Sequence, residues 1–300
     1  MNRKLTALAA TAALALGLAA CSSDDGTPAA TGTTSGGTTP VKVRVGVVGS
    51  QDDQWPVLVE KAKAEGIEVE LVNFTAYPEP NPALTQGQLD LNQFQHIQYL
   101  ADYNVSADED LVALGSTAIY PLALYSEKHT SVADIPEGGE IAVPNDPTNL
   151  NRALFVLQSA GLVQLRDGGT LSSTELDVLP ESKVKVTPVD AAQTAISLKS
   201  VDGAIINNDF IADAGLEPTD ALAQDDPASV GARPYINVWA ARAEDKDNPT
   251  FLKLIELAQT PEVEEALKTA SGGTGVIVHE DAATLAGYLA DVEAQVRAGE

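Results

Sequence analysis

Three short segments of this chain carry side chains whose type and spacing suit the capture of a small ligand. Residues 143–152 read VPNDPTNLNR. An apolar strand ends at Val143, and Asp146-Pro147 has the form of an N-cap followed by proline at the first helical position. A helix that starts there presents free N–H groups and a positive dipole end, with Arg152 about a turn and a half further along. Together these suit a carboxylate or a phosphate; a plain, well-capped helix with a surface arginine fits the same residues. In residues 89–100 (LDLNQFQHIQYL), Phe94, His96 and Tyr99 stand near a strand-to-helix transition, where ligands enter open α/β sheets. Phe94 and Tyr99 also read as ordinary core residues. Residues 204–209 (AIINND) read as a buried strand ending in Asn207, Asn208 and Asp209. Amides and a carboxylate at a strand end suit an ammonium or amide ligand, or an Asx-capped turn.

Reactive chemistry is scarce by comparison. The chain has no GxGxxG, Walker A or GxSxG pattern, and no convincing pairing of nucleophile and base. Its three histidines, His96, His129 and His279, have no close metal-ligand spacing, and its one cysteine excludes an intramolecular disulfide or a cysteine cluster. The expectation is a binding protein and not an enzyme, with no metal and no cofactor. With 18 Lys+Arg against 43 Asp+Glu, the formal charge of −25 argues against nucleic acid as a partner.

The elements that must position these segments alternate along the chain. Period-two apolar patterns predict strands over 41–48 and 67–74, with further apolar strands at 111–114, 119–125, 141–143, 184–189, 204–207 and 235–241. Helical spacing predicts helices over 54–65, 94–103, 147–161, 191–199, 249–259, 261–270 and 282–297. Strands alternating with helices predict an α/β fold with mostly parallel sheets. Polar, proline-containing breaks at 126–136 and 225–234 are suited to bounding an inserted second domain.

The first 20 residues read as an address. Met1-Asn2-Arg3-Lys4 is a short basic start, and the uncharged apolar run that follows spans roughly 24 Å as a helix, short of a hydrocarbon core of about 30 Å. That is the pattern of a signal peptide. It ends in Leu18-Ala19-Ala20-Cys21, which resembles a bacterial lipobox and makes Cys21 a lipidation site; an ordinary signal peptide with a chance cysteine is the alternative. The stretch 21–40 is rich in Gly, Ser, Thr and Pro and reads as a flexible tether.

The segments LDLNQFQHIQYL, GSTAIYPLALYS, IAVPNDPTNLNRAL, GAIINNDFIADAGL and PYINVWAARAEDKDN, in this order, resemble the NlpA/MetQ family of lipoproteins, the methionine-binding components of ABC importers. The likeness runs from about residue 41 to about 280. It implies a two-lobe periplasmic-binding-protein (type II) fold with a two-strand hinge, lobe I formed by 41–123 and 236–300 and lobe II by 124–235. It further implies a lipid-anchored protein on the extracytoplasmic face of the cell membrane, partnered by an ABC permease and its ATPase. On the same grounds Arg152 takes an amino-acid carboxylate, Asn207 and Asn237 hold the α-amino and carboxylate groups, and Tyr77, Phe94, His96 and Tyr99 line a pocket for the thioether. Asp209 stands where the family often shows an asparagine. Another amino acid or a short Met-containing peptide is the alternative ligand.

The lipobox generates a direct test. Cys21→Ala is expected to move the protein from the membrane fraction to the soluble extracytoplasmic fraction, followed by immunoblotting; a variant that stays membrane-bound would refute the anchor.

Overall fold

Alternation builds the first strand, β1 (Val41–Val48): Val43, Val45 and Val47 are fully buried while Lys42 faces water. A Cβ at Gly46 in its middle would collide with the side chains of Leu89 and Phe74, so glycine lets the neighbouring layer close on the strand. The structure, a computed structural model, describes residues 40–299; the signal peptide, Cys21 and the tether up to residue 39 lie outside the described residues.

Helix α1 (Gln54–Ala64) leads to β2 (Ile67–Phe74), and α2 (Pro80–Thr85) leads to β3 (Leu91–His96), so that β1 pairs in parallel with both strands. Next come α3 (Ile97–Ala107), β4 (Val112–Ser116) and the short β5 (Ala118–Ile119). The chain then crosses to a second sheet made of β6 (Ala123–Tyr125), β7 (Gly139–Pro144), β8 (Val184–Val189), β9 (Gly203–Ile206) and β10 (Ala223–Gln224). Helix α4 (Pro147–Ser159) follows β7 and α5 (Ala191–Ser197) follows β8. The chain returns as β11 (Asn237–Ala241) and ends with α6 (Pro249–Ala258), α7 (Pro261–Ala270), β12 (Val276–Ile277) and α8 (Ala282–Ala298).

The strand orders are β2-β1-β3-β11-β4 and β10-β6-β9-β7-β8. Each of these five-stranded sheets has a parallel trio, β2-β1-β3 or β9-β7-β8, beside a small antiparallel pair β12-β5, so the expectation of mostly parallel sheets needs correction at the other positions. Strand β11 is antiparallel to β3 and β4, and β6 is antiparallel to β9 and β10. These strands enter from the other sheet rather than through a crossover helix, and nothing obliges them to run with the trio. Helices cover both faces of each sheet. In the first, Trp55, Leu58, Phe251 and Leu254 pack with the β1 valines on one face, while Ile97, Leu100, Leu285 and Leu289 pack on the other. In the second, Leu150, Leu154 and Leu157 of α4 cover Ile141, Val143 and Ile205. The remaining face joins Ala195, Leu198, Ile206 and Phe210 to Val48, Tyr77 and Phe94 of the first sheet's side, so one apolar cluster spans both halves.

Two sequence expectations are revised. The helix expected over 94–103 starts at Ile97, and residues 91–96 form β3 instead. All six β3 residues are buried, including Asn92, Gln93 and Gln95, which hides the period-two signal. The amides of Asn92 and Gln95 are satisfied internally. Asn81 of α2 donates to Gln95 Oε1 at 2.7 Å and accepts from both Asn92 (2.9 Å) and Gln95 (2.7 Å), fixing α2 against the strand that carries the site. The strand expected over 119–125 breaks at Tyr120-Pro121-Leu122 into β5 and β6, since Pro121 has no N–H for a ladder.

Candidate ligand-binding site

The end of β3 and the start of α3 form the first wall of a cleft between the sheets. Phe94 comes from the strand, Tyr99 from the first turn of the helix, and Tyr77 from the loop after β2. Their ring centroids lie 5.8–6.1 Å apart, and Tyr99 meets the other two edge-on. This is the geometry that aromatic quadrupoles favour. His96 sits at the junction as the N-cap of α3. Its Nδ1 accepts from the Tyr99 N–H at 3.1 Å, so the proton lies on Nε2, which faces Asn149 Oδ1 at 3.4 Å. Burial, aided by the positive charge of Arg152, lowers the His96 pKa to about 3 and keeps the ring neutral.

The second wall comes from α4 and the end of β9. Asp146 caps α4 by accepting from the Asn149 N–H at 2.9 Å, with Pro147 at the first helical position, as the sequence predicts. The Asn149 side chain donates to both Asp146 oxygens at 3.0 and 3.2 Å, which fixes the direction of its amide. Its Oδ1 therefore points outward to take His96 and the Asn207 Nδ2, the latter at 3.0 Å. Asn207 Oδ1 is buried and, among the described residues, has no hydrogen-bond partner. Burial raises the Asp146 carboxyl above its usual range, partly offset by the donors of Asn149 and Thr148.

Arg152 is buried, not the surface arginine that a plain capped helix would carry. Its Nε and Nη2 donate to the two oxygens of Asp225 at 2.6 and 3.1 Å, and Nη2 also donates to the Tyr120 carbonyl at 2.8 Å. The guanidinium lies over the Tyr235 ring, 4.0 Å from its centroid. Among the described residues Nη1 has no protein acceptor, so one edge of a rigidly held cation remains for a ligand.

All seven residues named from the sequence, Tyr77, Phe94, His96, Tyr99, Arg152, Asn207 and Asn237, line one cleft pocket. Asn237 stands at the start of β11 opposite His96. Sequence reasoning missed Asn149, although it lies in the segment that was singled out, and Tyr120, in the break between β5 and β6. Asp209 also lines the pocket; its Oδ2 accepts from the Tyr77 hydroxyl at 2.8 Å, across the cleft. Burial raises the Asp209 carboxyl to about 7. Cation, unpartnered amide oxygen, carboxylate and aromatic rings in one enclosure suit a small zwitterion with an apolar side chain.

Comparison with known proteins agrees with this chemistry. The model of the NlpA lipoprotein family matches residues 43–279. The D-methionine-binding lipoprotein MetQ of Yersinia pestis is 38% identical over 243 residues, 79% of this chain and 88% of that protein. The crystal structure of the substrate binding protein of a methionine transporter from Streptococcus pneumoniae aligns with a TM-score of 0.74 at 37% identity, covering 79% of this chain and 95% of that one. A nutrient binding protein from Burkholderia cenocepacia, solved bound to methionine, aligns with a TM-score of 0.72 at 40% identity, covering 79% and 99%.

The buried neutral His96 has a measurable consequence. Its folded-state pKa of about 3 lies below the ordinary 6.5, so below pH 6.5 the unfolded chain binds a proton that the folded chain refuses. Stability is expected to fall as pH drops from 6.5 toward 3, by about 2 kcal/mol at pH 5 from this group alone. His96→Asn, which retains a capping acceptor, is expected to lose that part of the slope in urea denaturation at pH 7 and pH 5. Equal slopes in both proteins would contradict the assignment.

Proposed function

The chain belongs to the NlpA lipoprotein family, and from that premise we propose that it is an extracytoplasmic solute-binding lipoprotein that captures methionine and delivers it to the permease of an ABC importer. The observation that carries this reading is the joint presence, in one pocket, of the buried Arg152 and the aromatic set Tyr77, Phe94 and Tyr99. An amino-acid carboxylate fits the free Nη1 edge of Arg152, as a charge-assisted hydrogen bond in a poorly hydrated site. The unpartnered Asn207 Oδ1 is an acceptor for the ammonium group, and Asn237 lies within the same enclosure. A thioether has no strong donor or acceptor, and ring faces and edges meet it through dispersion and sulfur–aromatic contact.

In this reading 41–123 and 236–300 form one lobe, 124–235 the other, and the two chain crossings between the sheets are the hinge. A ligand that touches both walls binds the closed arrangement better than the open one and shifts the population toward it. Lipid on Cys21 and the 21–40 tether then keep the body beside its membrane partners, the permease with its ATPase.

Calorimetric titration with L- and D-methionine tests the reading. Arg152→Ala is expected to cost about 2–5 kcal/mol of binding, roughly thirty-fold or more in Kd, as truncating a desolvated charge partner does. An unchanged Kd in a variant with native circular dichroism would overturn the role of Arg152.

A further inference from the structure

Asp209 is the one part of the pocket wall whose charge the reading above leaves unused. Its carboxylate follows directly on the Asn207-Asn208 pair at the end of β9. Oδ2 accepts from the Tyr77 hydroxyl at 2.8 Å and Oδ1 from the Asn208 side chain at 2.7 Å. Two donors leave acceptor capacity on both oxygens, since a carboxylate offers about four lone-pair positions. The titratable groups that face it are Tyr77 from the loop after β2, Tyr120 from the β5–β6 break and Asp52 from the turn before α1. None of these is a cation, and Asp209 forms no ion pair among the described residues. Asp52 adds repulsion.

Arg152 shares the pocket but is matched by Asp225, which engages it through both oxygens. That pair is neutral as a unit, so Asp209, whenever it is ionised, leaves the enclosure with a surplus negative charge. A carboxylate removed from water needs a cation or a proton. The orphaned Asn207 Oδ1, two residues away, is a second acceptor that lacks a donor in the same pocket. One ligand group answers both needs: a primary ammonium, which carries a positive charge and three N–H donors.

We propose that Asp209 is a specificity-determining residue, the counter-ion of the ligand's α-ammonium group, which confines this pocket to ligands with a free amino group. The inference rests on the reading that the ligand is an amino acid, and it adds a charge requirement at the amino end.

Calorimetry with L-methionine and N-acetyl-L-methionine on the wild type and on Asp209→Asn tests this. The asparagine removes the charge and keeps an oxygen to accept from the Tyr77 hydroxyl; its NH2 replaces the oxygen that accepts from Asn208, whose own amide can turn to offer its oxygen. The wild type is expected to bind N-acetyl-L-methionine about 100-fold more weakly than L-methionine, because acylation leaves the buried carboxylate without its partner. Asp209→Asn is expected to weaken L-methionine by about tenfold, the difference between a charged and a neutral hydrogen-bond partner, and to leave N-acetyl-L-methionine nearly unchanged. The discrimination between the two ligands then shrinks by the same factor. Binding of L-methionine to Asp209→Asn within threefold of the wild type would overturn the proposal, as would an equal loss for both ligands, which marks a merely structural role. A wild type that binds neither ligand would remove the amino-acid reading, and this inference with it.

Discussion

The carboxamide of Asn149 is the joint on which the cleft depends. Its nitrogen donates twice to Asp146, the cap of α4, and its oxygen accepts from His96 on the first sheet's side and from Asn207 on the second. The helix cap thus fixes the amide, the amide draws in the Asn207 nitrogen, and the Tyr99 N–H sets the proton-bearing nitrogen of His96 that meets the same oxygen. Polar networks of this kind are favourable when every member is satisfied and costly when one is not. Here the atom left over, Asn207 Oδ1, belongs to a residue that lines the cleft pocket. A position needed by a ligand is where an unsatisfied buried acceptor is expected to persist.

Charge is organised around the same joint. Arg152 is held by Asp225, by the Tyr120 carbonyl and by the Tyr235 ring, so its side chain is ordered before any ligand arrives. Pre-ordering reduces the conformational entropy that binding would otherwise cost. His96 stays neutral because burial disfavours its charged form, and the adjacent Arg152 adds repulsion. The aromatic trio adds apolar surface without further charge, and Tyr77 reaches across the cleft to Asp209, a contact available only while the walls stand close together.

Much of this was legible in the sequence. β2 and α8 follow their hydrophobic periods because each has one wet face and one dry face, whereas β1 has a wet face only at its start, over Val41–Arg44, and is buried on both faces beyond. Phe94, His96, Tyr99 and Arg152 stood out as chemistry at strand-to-helix transitions, and the capped start of α4 was readable from Asp146-Pro147. Tyr77 and Asn237 were named through family resemblance alone. β3 escaped because both its faces are buried and the amides of Asn92 and Gln95 are satisfied internally by Asn81, so polarity there did not mean exposure. Asp225 left no local trace: it lies 73 residues from Arg152 in a polar loop, and only the fold brings the two together. Asn149 read as part of a helix cap, which it is, while its outward oxygen follows from a hydrogen-bond direction that composition does not encode.

The most direct measurement of capture in this cleft uses the scarcity of sulfur in the chain. Met1 is the only methionine and lies outside the described residues. Crystals of the protein grown with seleno-L-methionine would therefore place selenium in the folded body only through bound ligand. The expected result is one anomalous peak against the rings of Tyr77, Phe94 and Tyr99, with the ligand carboxylate at the Nη1 edge of Arg152. A well-ordered cleft without selenium, or a peak only outside it, would contradict methionine capture between the two walls.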